Sequence, residues 1–222
     1  MTNTLFQPIE QLISEYEQDS NTIRSNRLVM ENYPKVLLLS VASLFEVMIK
    51  NSLAAFYAAP SIPMPPKISQ INNRLGQYDV LSDKLYAKFV ASPRTNTTSA
   101  TNFYALFSGA SFKTDVKNNF DIIRAQMILD KRTLIDSIAP MRGSGDSFDF
   151  EYIKQGDRLQ ILNRSSFSVS EDSFLQIKLR RNKVAHDYIS GITDTFTDIS
   201  GFYCLASLYV ESVDKTLKTM TI

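Results

Sequence analysis

Tryptophan is absent from these 222 residues, and cysteine and histidine occur once each, as Cys204 and His186. A lone cysteine cannot close an intrachain disulfide, so no disulfide framework holds this chain. One His and one Cys also exclude a zinc site built on two His or on a Cys/His cluster. Any Ser-His-Asp or Cys-His arrangement has only His186 to use. Glycine is scarce, at seven, and with long periodic stretches this argues against a turn-rich β-barrel or a dinucleotide fold. Neither sign of charge dominates: 24 Lys and Arg against 23 Asp and Glu leave +1. A polyelectrolyte partner is therefore not written into the total charge, and any nucleic-acid surface must be a local patch.

What is present is ordinary globular material, 44% hydrophobic and 21% charged, enough for one compact core over residues 1–222. The most apolar stretch, Val36 to Ala59, carries Glu46, Lys50 and Asn51 in its middle, which argues for a core helix over a membrane span. Met1 to Glu10 lacks the basic-then-apolar pattern of a secretory signal. Cys204, inside the apolar run Phe202 to Val210, reads as a small buried hydrophobe. A reducing cytoplasm fits these features.

Helical periodicity dominates. The spacing predicts a helix from about Pro8 to Asn32, and a second opened by Pro34 and reaching about Ala59. Four prolines in Pro60 to Pro66 make a stiff connector. Short helices are expected over Lys67 to Leu75 and Leu81 to Val90, and a loop over Ser92 to Thr101. Thr114 or Asp115 is the expected cap of a long helix to Ile138, which Pro140, Gly143 and Gly145 end. Phe148 to Leu162, Ser170 to about His186, and Thr197 to Thr219 complete the helical set. The expected fold is an all-α bundle of four to five long helices with short connecting ones.

Two polar interruptions stand out on these helices. Leu39, Ala42, Glu46, Ile49 and Leu53 form an apolar seam with a carboxylate at its centre. Later, Arg181, Asn182 and His186 share a broad face with Phe174, Ile177, Val184 and Tyr188. A buried carboxylate needs a cation, and Arg181 is the candidate partner of Glu46. A fold-specifying ion pair is the plain alternative. The segment Lys178 to His186 holds four cations and no acid beside the only histidine, a local charge that suits a phosphate-bearing ligand.

Arg181-Asn182-Lys183-Val184-Ala185-His186 resembles the Arg-x4-His signature of the HEPN superfamily, the higher-eukaryote and prokaryote nucleotide-binding domains, in its RiboL-PSP-HEPN and toxin-like branches. Glu46, in Ser43-Leu44-Phe45-Glu46, resembles the polar residue such domains carry on an earlier helix. Asp187 stands where Gly is frequent in that family. The resemblance implies a metal-independent endoribonuclease that needs no cofactor, acting as a toxin or phage-defence effector with an antitoxin or inhibitor protein as partner. In that chemistry the ribose 2′-hydroxyl attacks the phosphate. His186 serves as base or acid, Arg181 offers a planar fork to the phosphate, Asn182 orients His186 or donates to the phosphate, and Glu46 holds Arg181. Lys178, Arg180, Lys183 and Arg164 are the expected contacts to the RNA backbone. The family implies a homodimer through the motif-bearing helices, which brings two His186 into one cleft. A non-catalytic module that dimerises or binds nucleotides or a partner is the alternative, and a helical scaffold is the third reading. Gly143-Ser144-Gly145 reads as a turn, and Phe103, Tyr104, Phe107 and Phe112 as core aromatics more than base-stacking ones.

Overall fold

The structure, a computed structural model, describes residues 6–18, 26–57, 110–188 and 192–219. Its regular elements are α1 (Gln7–Gln18), α2 (Arg27–Tyr57), α3 (Ala110–Ile138), α4 (Asp146–Arg164), α5 (Phe167–His186) and α6 (Phe196–Thr219), with a 3₁₀ turn at Ala139–Met141. No strand occurs among the described residues, and the fold is all-α. The Pro60 to Pro66 connector, the two short helices after it, the loop Ser92 to Thr101 and Phe103, Tyr104 and Phe107 lie outside the described residues.

Helix boundaries differ from expectation where a cap competes with a proline. Pro34 does not open a helix: α2 starts at Arg27 and runs through Pro34. Its start is fixed by Asn26, whose side-chain oxygen accepts from the backbone nitrogens of Leu28 at 3.1 Å and Val29 at 3.3 Å. An Asn cap satisfies two orphan donors, and the flanking apolar residues of α2 outweigh one interior proline. The α4–α5 junction is also shorter than expected. Ser166 caps α5, accepting from the Val169 nitrogen at 3.3 Å, so Ser170 sits a full turn inside the helix and is buried. Gly143 takes φ +79 in the turn before α4, a conformation open to Gly without strain, and its nitrogen donates to Asp149 Oδ1 at 3.1 Å.

Two compact units make up the chain, Met1–Ala42 with Asp121–Tyr209 and Ser43–Phe120 with Val210–Ile222. In the first, Ile9 and Ile13 of α1, Leu37, Leu38 and Val41 of α2, Phe174, Ile177 and Val184 of α5, and Ile199 and Tyr203 of α6 are buried. Arg124 of α3 closes the end of α4. Its Nε donates to the Leu162 carbonyl and to Ser165 Oγ, each at 3.0 Å, and Nη2 donates to the Asn163 carbonyl at 2.7 Å. Arg124→Met is expected to cost about 2–3 kcal/mol in urea unfolding, since charge-assisted bonds to helix-end carbonyls are lost. Arg124→Lys should recover less than half, because a point charge cannot span three acceptors.

The second unit buries Phe45, Met48, Ile49, Val116, Phe120, Val213 and Leu217. Among these, the Ser52 hydroxyl bonds the Asp214 carboxylate, and Asn119 Nδ2 donates to Thr216 Oγ1 at 2.9 Å. Burial, with the Asp214 charge nearby, pushes the Glu211 carboxyl up from 4.5 to about 7. Between those pH values the unfolded chain has released this proton and the folded chain keeps it, so stability falls as pH rises through the window. Glu211→Gln should leave the melting temperature at pH 5 nearly unchanged and raise it at pH 8. An equal change at both pH values would remove this account.

By length and composition, Arg27–Ile49 of α2 is able to cross a membrane, yet half of its most apolar window is buried inside the fold. The core helix of a soluble domain has the same character.

Candidate functional site

The motif occupies the last two turns of α5, and the local sequence explains why it is presented there. Ser170, Ser173, Phe174, Ile177 and Val184 form the buried stripe of α5. Beyond Ile177 only Val184 stays buried, and Arg181, Asn182, Lys183, Ala185 and His186 are all exposed. Lys183 and His186 lie in the final turn, where cations complement the helix dipole. The Asp187 nitrogen closes the helix on the Lys183 carbonyl at 2.8 Å.

Arg181 and His186 leave the helix about 140° apart, since five residues at about 100° each separate them. The guanidinium is turned back across that gap: Arg181 Nη1 donates to Asn182 Oδ1 at 3.2 Å. Asn182 stands one turn before His186 on the same face. All three side chains are exposed to solvent on α5. Among the described residues the partner of the Arg181 side chain is this neutral amide oxygen. Arg181 is exposed, which corrects the expectation that the face it shares with Phe174, Ile177 and Val184 buries it. Asn182 thus holds the arginine from within α5.

Glu46 is half-buried in the second unit. The buried stripe of α2 runs Leu38, Val41, Phe45, Met48, Ser52, at steps of three and four, and Glu46 flanks it. The seam expected through Leu39, Ala42 and Glu46 is shifted by one residue. Residues 36–49 are apolar on nearly every side, so periodicity does not select the buried face.

The four expected backbone-binding cations are placed in four different ways. Lys183 is exposed within the motif. Lys178 is half-buried with its ammonium 5.3 Å from the Phe174 ring centroid. Arg180 is committed to the fold. Its Nε pairs with Asp194 Oδ1 at 2.8 Å, Nη1 bonds Gln176 Oε1, and its guanidinium lies 4.5 Å from the Phe202 ring centroid. A phosphate would have to displace Asp194 to reach it, so Arg180 is a poor phosphate ligand. Arg164 is the last residue of α4, just before α5 begins at Phe167. The length of α5 places it roughly 20 Å along the axis from the motif, so Arg164 does not flank the same few phosphates.

Sequence spacing does not single out Lys35, and it puts Tyr188 only on an apolar stripe. Tyr188 follows the helix end, and Lys35 of α2 holds its Nζ 4.9 Å from the Tyr188 ring centroid. Nearby in chain order, Thr195 and Asp198 form a reciprocal cap for α6. Asp198 Oδ2 accepts from Thr195 Oγ1 at 2.7 Å and its nitrogen at 2.9 Å, which holds this carboxyl below the usual range. Cys204 is an inert thiol, pushed up to about 11 by burial. Among the described residues no three His, Cys, Asp or Glu side chains gather as a metal site. Comparison with known protein families, curated proteins and solved structures finds no match to this chain.

Proposed function

We propose that this chain is a HEPN-type endoribonuclease that cuts RNA without a metal or cofactor. The observation that carries the reading is the exposed cluster on α5, where Asn182 holds the Arg181 guanidinium one turn from the sole imidazole, His186. An exposed arginine bonded to a neutral amide keeps its charge for an anion. In the proposed reaction the RNA 2′-hydroxyl attacks the adjacent phosphorus, and the bond to the 5′-oxygen breaks. Arg181 stabilises the charge on the crowded phosphate, and His186 takes or gives the proton.

One imidazole supplies either the base or the acid, so the reading includes a homodimer through α5. Leu175, Leu179, Asn182 and His186 recur at steps of four, three and four on the exposed side of this helix, with Leu179 more than half exposed. That is the spacing of a helix–helix seam. Lys183 and Lys178 are the proposed contacts to the RNA backbone. A toxin or defence role with an antitoxin or inhibitor, in the cytoplasm, belongs to the same proposal.

Purified protein incubated with RNA in EDTA tests it. The expected products carry 2′,3′-cyclic phosphate and 5′-hydroxyl ends, and RNA with 2′-O-methyl at the cut site resists. Binding without cleavage would assign the chain to the non-catalytic alternative. An absolute requirement for a divalent metal would reject the mechanism.

A further inference from the structure

Tyr188 lies two residues beyond His186, immediately after the helix C-cap, and is 44% exposed. Aromatic rings at loose helix ends ordinarily swing freely. Here the ring is held from beneath by a lysine that is itself only 6% exposed, with Nζ 4.9 Å from the ring centroid. Burying an ammonium is costly unless it is compensated. The contact with the negative face of the ring supplies part of that compensation. The arrangement leaves one ring face occupied by a cation from the interior and part of the residue turned to solvent, two residues along the chain from the only imidazole. A preset aromatic surface a few residues beyond the arginine proposed to hold a phosphate suits a single-stranded nucleotide, whose base stacks while its phosphate is held.

We propose that Tyr188 is a nucleobase platform: a base adjoining the phosphate at Arg181 and His186 stacks on its exposed face, and Lys35 positions the ring. This rests on the RNA reading of the motif. It adds a subsite for an unpaired base, so the substrate class is single-stranded RNA or a loop, since a paired base cannot leave its helix to stack.

The absence of tryptophan makes the test direct, because Tyr188→Trp introduces the sole indole and preserves stacking. The probes are an uncleavable 2′-O-methyl oligoribonucleotide and an abasic oligonucleotide of equal length and charge. Titration with the base-bearing probe should quench the indole emission, and the abasic probe should not. Tyr188→Ala should weaken the base-bearing probe about five- to a hundredfold by fluorescence polarisation, the range for one lost stack, and leave the abasic probe unchanged. Lys35→Met, with Tyr188 intact, should weaken only the base-bearing probe, and Lys35→Arg should restore it. Binding of the base-bearing probe without quenching, and with equal affinity for Tyr188→Ala, would overturn the platform and leave the RNA reading standing. No binding of either probe at low salt would overturn both.

Discussion

His186→Ala should lower the proposed RNA cleavage by about a hundredfold or more, the usual scale of lost acid–base catalysis, with no change in melting temperature. The separation of activity from stability follows from exposure: His186 ends α5 on the solvent side, so its removal leaves no cavity. Arg181→Ala should act in the same way. Its guanidinium bonds only the neighbouring Asn182 among the described residues, and exposed substitutions of this kind change stability by about 0.5 kcal/mol or less. Arg181→Lys should fail to restore cleavage, because a point charge replaces a planar fork. Asn182→Ala should fall between, since it frees the arginine without removing it. If the sites are composite, a mixed dimer of His186→Ala and Arg181→Ala chains should show activity that neither parent has. Full cleavage by the His186→Ala protein would sink the mechanism.

Helices were legible in the sequence where one face was apolar and the other charged. α6 was expected from Thr197 and begins at Phe196, because Thr195 and Asp198 cap it within four residues of sequence. The local charge was legible because four cations and the one imidazole fall within the nine residues Lys178 to His186. Its three-dimensional support was not. Periodicity placed Arg181 on the buried side of α5, yet the long side chain turns toward Asn182, a choice that rotamers make and spacing does not encode. Arg180 and Arg181 are indistinguishable as letters. One is locked by Asp194 and Phe202, the other is offered to solvent, and the difference comes from contacts made after the chain turns back at α6. Lys35 does carry a signal in the sequence, a lone cation entering an apolar run directly after Pro34.

Arg158→Met should cost about 2–3 kcal/mol of stability, and it tests an ion-pair network invisible to local sequence. Arg158 Nη1 meets Glu10 Oε2 at 2.6 Å across 148 residues of chain. Burial works against the charge on Arg158, and the Glu10 carboxylate more than offsets it, holding the guanidinium above its ordinary value. Burial, and then the same carboxylate, push the Tyr203 phenol upward. One acid of α1 thus anchors groups of α4 and α6 inside the first unit. Close by, Lys154 Nζ meets Glu17 at 2.9 Å and Lys131 Nζ donates to Gln155 Oε1 at 2.7 Å. Removing one partner of a buried pair strands the other and costs about 3–5 kcal/mol. Glu10 keeps 32% of its side-chain surface, so water recovers part of that and the expected loss is smaller. Glu10→Leu combined with Arg158→Met replaces both charges by apolar groups and should regain most of the loss in urea unfolding. A double variant as unstable as the sum of the two single ones would show that the residues act independently and that the pair does not hold α1 in place. Because the motif residues take no part in this network, the double variant should retain the proposed RNA cleavage.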